Sequence, residues 1–185
     1  MEAPPFPAAA IAAARDAVKA HLRIEGAHED AAIERVVATA LALGEAFTGT
    51  AWIARDWQAA MPATRGWQLL ATAPVTAITQ VEGLPAGGPA SALPADGYAI
   101  DIDANGQGWV RVTAAEAMGG RVRVTFAAGA AAGWGDLPPP IAQGAVLLAA
   151  HCLEARIEGA APPAVVAALW RPWRRMRLGE ALRPA

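Results

Sequence analysis

The feature of this sequence that most constrains its fold is an amphipathic helical pattern over residues 28–49. Apolar side chains recur there every three or four residues, which places them on one stripe of an α-helix and leaves the charged side chains on the remaining surface. Glu29 and Asp30 stand in the first turn, where carboxylates meet the positive end of the helix dipole, and Gly49 can end the helix in a left-handed conformation. Such a helix is about 33 Å long, so other elements must pack along it.

A second helix is predicted just before this one. Residues 8–23 repeat apolar side chains on one face, with Arg15, Asp16 and Lys19 facing away from it. Only a short break separates this helix from the one at 28–49. The two are therefore expected to be antiparallel neighbours in a helical hairpin.

A third helix is predicted at residues 139–157, where it begins within a run of prolines. Proline is acceptable in the first turn of a helix because its missing N–H has no partner there. Apolar residues surround this helix almost completely, so it must be buried on several sides. The helix at 28–49 is its natural partner, since the alanines and glycines between the larger residues allow a close approach.

Residues 51–127 differ in character from the helical segments, because they hold several runs of β-branched and aromatic residues. Val75, Ile78 and Val81 do not share one face by strict alternation, which predicts a strand with an irregularity. Residues 121–126 alternate cleanly between apolar and polar side chains and predict a regular strand. The segment is interpreted as a small antiparallel β insertion.

A hairpin is predicted within this insertion. Tyr98, Ile100 and Ile102 alternate with other residues in one strand-like run, and Asn105 and Gly106 stand in front of the next. An Asn-Gly pair favours a hairpin because both residues tolerate the positive φ of the preferred turns. We expect this pair to form an exposed hairpin tip.

Together these patterns predict an α+β protein. Its helical bundle consists of the hairpin and the buried helix of the C-terminal half, and it carries the small antiparallel β insertion and a C-terminal arm. With 185 residues, the chain can build one domain with its own core, placed at 1–162, and the arm follows at 163–185. No apolar run approaches the ~18 residues of a membrane helix, and the N-terminus lacks the basic region of a signal peptide, which favours a cytoplasmic origin.

No constellation of residues argues for an enzyme, a metal site or a cofactor. His151 and Cys152 are adjacent, so on a helix they point about 100° apart and do not form a nucleophile and base pair; Cys152 is expected in the core. Asp101 and Asp103 lie beside the Asn-Gly turn and are expected to be solvated polar groups rather than an acid/base pair. The carboxylates at the start of the 28–49 helix have a sufficient role in capping it.

The C-terminal arm carries the one suggestive cluster. The last fifteen residues hold five arginines against a single glutamate, which suggests an acidic partner. Trp170 and Trp173 stand among these arginines, and both residue types are enriched at protein interfaces. They also suit nucleic acid, since arginine meets phosphate and tryptophan stacks on bases. A third interpretation folds the tryptophans back onto the chain's own core, with the arginines reaching solvent.

Six segments follow one another along the chain: VKAHLRIEG, EDAAIERVVATALALGEAFTG, APVTAITQVEG, DGYAID, VRVTFAAGAAAGWGDLPPPIAQGAVLLAAHCLEAR and PPAVVAALWRPWRRMRL. Their order and spacing resemble the head-tail connector (adaptor) proteins of long-tailed bacteriophages and related gene transfer agents. The resemblance covers residues 14–178, and no single motif is diagnostic. The alanine- and proline-rich N-terminus, the alanine-padded loop before Trp134 and the residues after Leu178 depart from the family pattern.

The resemblance implies a structural protein of the virion neck, assembled in the bacterial cytoplasm. Members of this family form a ring of about twelve copies, closed by cyclic symmetry. The ring completes the DNA-filled head by joining its portal to the next tail-side neck protein, a stopper or tail terminator. DNA passes through the ring during packaging and ejection without sequence-specific binding, and no membrane, metal or cofactor is implied.

In this family the C-terminal segment docks onto the portal, which corresponds here to residues 163–178. The expected portal-binding residues are Val166, Leu169, Trp170, Arg171, Trp173, Arg174, Arg175 and Arg177. Both tryptophans are expected to be partly exposed before docking. Alanine-rich faces of the first helix and of residues 141–156 would pack against neighbouring copies.

Two alternatives stay open. The first is a nucleic-acid-binding module that uses the Arg/Trp-rich tail, which a salt-dependent shift of DNA would favour. The second is a hydrolase, which would be favoured by turnover that disappears when His151 is substituted.

Overall fold

The computed structural model describes residues 3–85, 87–113, 120–154 and 161–175. Its helices and its two antiparallel sheets confirm the predicted α+β class. The chain divides into two compact units, a helical unit from Pro5–Ile53 and Ala130–Met176 and a β unit formed chiefly by Ala54–Gly129. Within the described ranges, no helix has the length and apolar character needed to cross a membrane.

The described ranges of the helical unit contain four α-helices. They are α1 (Ala8–Leu22), α2 (Asp30–Thr48), α3 (Pro139–Glu154) and α4 (Ala164–Trp170), with 3-10 turns at Trp134–Asp136 and Arg171–Trp173.

α1 and α2 pack against each other as the predicted hairpin, and their buried residues fall on the predicted apolar stripes. α2 is followed by Gly49, whose φ of 67° is left-handed and whose N–H donates to the carbonyl of Glu45 over 2.8 Å. The predicted glycine cap is therefore confirmed. α1 ends differently, since Arg23 itself takes a left-handed φ of 57°.

α3 is buried on several sides, as predicted, because it packs against α1, α2 and α4. Its buried residues are Ile141, Gly144, Ala145, Val146, Leu148, Ala149 and Ala150. The chain thus covers most of this helix itself, contrary to the expectation of an alanine-rich face for a neighbouring copy. Cys152 is exposed, so its predicted place in the core is wrong.

Among the residues that the structure describes, the β unit has seven strands in two sheets. They are β1 (Arg55–Pro62), β2 (Gln68–Leu69), β3 (Val75–Gly83), β4 (Ser91–Ala92), β5 (Tyr98–Ile102), β6 (Gly108–Val112) and β7 (Arg121–Ala128). One sheet has the order β1-β7-β3-β4 and the other β2-β6-β5. In β7, Val122, Val124 and Phe126 are buried and alternate with more exposed residues, as predicted.

The predicted irregularity in β3 is confirmed. Its register against β7 shifts between Val75 and Ala77 and again between Ile78 and Gln80. These shifts break the strict two-residue period, which is why the apolar residues of this strand are unevenly spaced.

β5 and β6 form the predicted hairpin, but its turn is built differently from the expectation. Gly106 has a positive φ of 71°, whereas Asn105 does not, and Asp103 organises the loop. The Asp103 carboxylate accepts hydrogen bonds from the N–H groups of Asn105 (2.8 Å) and Gln107 (2.9 Å). Asp103 is therefore a turn-forming residue rather than a merely solvated one.

Candidate partner-binding surface

The described part of the C-terminal arm consists of α4 and the 3-10 turn after it. Pro163 precedes the helix, and its carbonyl accepts a hydrogen bond from the N–H of Val166 over 3.0 Å. Pro172 has no backbone N–H, so the α-helix gives way to the turn at Arg171–Trp173. The α-helix of the arm therefore ends at Trp170.

Trp170, the last residue of α4, is packed onto α3. Its Nε1–H donates to the carbonyl of Ile141 over 3.2 Å, and the residue is only 3% exposed. A Cβ at Gly144 would lie 2.3 Å from this Nε1 atom, so the indole occupies space that only a glycine leaves open. The arm is thereby anchored to α3.

A second tryptophan uses a glycine of α2 in the same way. A Cβ at Gly44 would lie 1.8 Å from Cη2 of Trp52. Trp52 donates its Nε1–H to Oγ1 of Thr48 over 2.9 Å, and its ring meets that of Trp170 edge-on, with 5.1 Å between centroids. The two indoles therefore form one buried aromatic cluster between glycine-bearing helices.

The sequence contains a signal for this cluster, the glycines inside two helices, that helical periodicity alone does not reveal. A glycine inside a helix costs about 1 kcal/mol relative to alanine and usually marks a close packing contact. The glycines were interpreted as allowing α2 and α3 to approach each other. Instead, Gly44 and Gly144 receive the rings of Trp52 and Trp170.

The expectation that Trp170 is partly exposed is wrong, since its ring belongs to the core of the helical unit. Val166 is buried as well, at 2% exposure. Val166 and Trp170 therefore agree with the interpretation in which the arm folds back onto the chain's own core. Both side chains hold α4 in place and neither is presented to a partner in this structure.

Four residues of the expected portal-binding set are exposed: Arg171, Trp173, Arg174 and Arg175, with Leu169 half-buried beside them. Trp173 keeps 44% of its surface accessible. The guanidinium of Arg174 lies 5.5 Å from the centre of the Phe47 ring, and the N–H of Arg175 donates to the carbonyl of Thr48 over 2.8 Å. Arg177 lies outside the described residues.

These contacts place cationic side chains at the C-terminal end of α2. A helix C-terminus carries partial negative charge and unpaired carbonyls, so cations and an N–H donor are favourable there. Residues 171–175 thus form an exposed basic surface with one accessible tryptophan, Trp173. The buried side chains of Val166 and Trp170 hold the preceding helix, α4, in place.

Charged residues also join α1 to α2. Nη1 of Arg15 lies 2.7 Å from the Glu34 carboxylate and 3.5 Å from the Asp30 carboxylate. Lys19 also contacts the Asp30 carboxylate. The hydrogen bond from Lys19 lowers the pKa of Asp30, and the bond to Asp16 is the main cause of the raised pKa of Arg15. Arg15 and Lys19 lie off the buried stripe of α1, as predicted, but they point toward α2 rather than into open solvent.

The predicted role of the α2 carboxylates is confirmed only for the negative charge in the first turn, which Asp30 supplies beside the positive end of the helix dipole. Glu29 stands at the N-cap without a side-chain capping bond, and Asp30 instead bonds to Lys19 across the hairpin. Among the residues that the structure describes, no group of three or more His, Cys, Asp or Glu side chains is placed to hold a metal ion.

No protein-family model matches this chain, and no curated protein does. Solved structures match it over nearly its whole length. A chain in the neck of an empty gene transfer agent (GTA) particle, computed with C6 symmetry, is 31% identical with a TM-score of 0.77, over 99% of this chain and 100% of that one. A chain in the neck of a native GTA particle, computed with C12 symmetry, is 31% identical with a TM-score of 0.74, over the same shares.

A chain in the virion of a native GTA particle is 33% identical, with a TM-score of 0.72 over 96% of each chain. The fold and these matches define a class, the structural neck proteins of phage-like particles. The chain belongs to the head-tail connector (adaptor) family, which includes neck proteins of gene transfer agents. The resemblance inferred from the order of its segments is confirmed.

Proposed function

We propose that this chain is the head-tail adaptor of a phage-like particle, in which a ring of its copies joins the portal of a DNA-filled head to the tail. The observation that carries the proposal is the full-length match to chains of GTA necks, one of them computed with C12 symmetry. A ring of about twelve copies agrees with that symmetry. The tail-side neighbour would be a stopper or tail terminator.

The portal-binding surface is proposed at the exposed part of the C-terminal arm. Trp173 supplies a large accessible ring, and Arg171, Arg174 and Arg175 supply positive charge around it. Arginine and tryptophan frequently dominate binding energy when a partner covers them. Val166 and Trp170 contribute indirectly, because they fix the helix that carries these residues.

The proposed ring surrounds the DNA path in the particle neck. DNA would pass through during packaging and ejection, so the ring has no need of base contacts, and a strongly adhesive basic lining would slow passage. The adaptor would be made in the bacterial cytoplasm, where heads and tails are joined.

A charge-reversal experiment tests portal docking without disturbing the core. Arg171→Glu combined with Arg174→Glu should lower the melting temperature only slightly, because both residues are exposed and the lost Arg174–Phe47 contact and the lost favourable charge at the end of α2 are each worth about 1 kcal/mol or less. It should abolish association with portal-bearing heads and reduce the number of tailed particles seen by electron microscopy. Arg35→Glu, at an exposed position of α2, is the matched control and should join heads normally. Normal joining by the double variant would refute the proposed docking surface.

A nucleic-acid-binding module is the second candidate, and the exposed Trp173 beside Arg171 and Arg174 is the observation that favours it. Fluorescence anisotropy with a labelled DNA duplex separates the two. Tight binding that weakens steeply with salt would favour the module, whereas an adaptor should bind the duplex weakly or not at all.

A further inference from the structure

β5, at the edge of its sheet, carries an apolar row that the described residues cover only in part. Among them, β5 pairs only with β6, and the order β2-β6-β5 places it at one end of its sheet. Ile100 is 43% exposed and Ile102 38% exposed. Both are large apolar side chains, and Tyr98 extends the row by one more position on the same face.

The row lies on the core-facing side of the sheet. Directly paired residues of neighbouring strands share a face, and Tyr98 and Ile100 pair with Val112 and Val110, which are completely buried. The apolar layer of the β unit therefore continues past β6 to β5, where contact with β3 covers it only in part and leaves Ile100 and Ile102 exposed. This is a core layer left open at a strand edge.

Other outer strands of the β unit carry the features that protect an edge. β2 and β4 have only two residues each, and β1 ends in Pro62. β5 has five residues, no proline and no basic side chain, and its one charged residue, Asp101, lies on the opposite face. An unprotected apolar edge of this kind is typical of a surface that is covered after assembly.

We propose that the β5 edge, defined by Tyr98, Ile100 and Ile102, is the surface that each copy presents to a neighbouring copy in the ring. This inference rests on the proposed ring. In a ring, every subunit has a neighbouring copy beside it. Permanent contacts between copies are more apolar than transient contacts. The basic surface of the arm, by contrast, has the character of a contact with a different partner.

Ring geometry further defines what β5 meets. Two β5 edges that paired with each other would form a two-fold dimer, and such a contact does not extend into a ring. The β5 edge of one copy must therefore contact a different surface of the next copy.

Site-specific photo-crosslinking tests this placement. A benzophenone amino acid replaces Ile100 in the complete protein, which is then assembled into particles and irradiated. We expect crosslinked pairs of this chain in which the second peptide lies outside residues 98–102. Crosslinks only to portal or tail proteins, crosslinks between two copies of 98–102, or no crosslink in assembled necks would each overturn the inference. Absence of the protein from necks would instead overturn the proposed function.

A substitution gives an independent readout. Ile100→Lys places a charge on the row and should lower the fraction of chains in rings about tenfold or more, as counted by native mass spectrometry of released necks. Ile100→Val keeps the row apolar and should retain normal rings. Equal ring formation by a folded Ile100→Lys protein, with an unchanged circular dichroism melt, would contradict the proposal.

Discussion

The indole of Trp170 lies so close to Gly144 that a Cβ at position 144 would be 2.3 Å from its Nε1 atom. That same Nε1–H donates to the carbonyl of Ile141, one turn earlier in α3. A glycine in a helix and a tryptophan twenty-six positions later thus form one packing unit. The C-terminal arm is consequently part of the helical core up to Trp170 and exposed from Arg171 to Arg175.

Gly144→Ala should destabilise the protein although alanine is the better helix former. The gain in helix propensity is about 1 kcal/mol, whereas overpacking against the indole typically costs about 1–3 kcal/mol and also strains its hydrogen bond. The expected result is a lower urea midpoint with an unchanged slope. Gly135→Ala is the control, because a Cβ there meets nothing within 4 Å. A midpoint for Gly144→Ala above that of the parent would show that the ring moves aside freely.

The two tryptophans of the arm should differ sharply in their effect on stability. Trp170→Ala leaves a cavity beside Trp52 and should cost about 3–5 kcal/mol, while Trp173→Ala, at an exposed position, should change stability by about 0.5 kcal/mol or less. Chemical denaturation of the purified variants measures both. Equal losses would mean that the two side chains share one environment.

Truncation after Ala161 removes Trp170 together with the exposed arm. We therefore expect the truncated protein to melt at a lower temperature than the full chain, and to expose Trp52 and Gly144, which Trp170 contacts. Tryptophan fluorescence would shift to longer wavelength as Trp52 becomes exposed. A truncated protein with the parent's melting temperature would argue that α4 is not part of the core.

The Asp30 contacts should make stability depend on pH in the acidic range. The pKa of Asp30 is lowered in the folded protein by its hydrogen bond to Lys19, so the contribution is complete above the unfolded value of about 3.9 and is lost as the pH falls through the folded pKa. Asp30→Asn should therefore melt below the parent at neutral pH, with the difference narrowing below about pH 4. A difference that stays constant down to pH 2 would exclude the carboxylate charge as its cause.

The β5–β6 hairpin tip should resist proteolysis more than its Asn-Gly sequence indicates. Asn105 is exposed, but the carbonyl of Gly106 accepts a hydrogen bond from the N–H of Val75 over 2.8 Å, and Asp103 bonds two further N–H groups of the loop. Cleavage near residues 105–106 should therefore be slow in the parent and faster in Asp103→Ala. Mass spectrometry of the fragments gives both rates, and rapid cleavage of the parent would contradict these contacts.

The sequence by itself determined the elements whose signals are local. The helix at Asp30–Thr48, its cap at Gly49, the alternation in β7 and the irregularity in β3 all follow from side-chain spacing and from the conformational range of glycine. The order of these elements was enough to indicate the family. Periodicity works here because a residue's place on a helix or strand depends only on its near neighbours in the chain.

Only the tertiary structure decided which surfaces meet. An apolar stripe predicts burial but does not name its partner, so the pairing of Trp170 with Gly144 and of Asp30 with Lys19 could not be read from spacing. The same holds for Ile100, whose pattern predicted a strand but not that the strand lies at an open edge. These contacts join residues distant in the chain, and they form only because the packed helices and paired strands bring particular faces together.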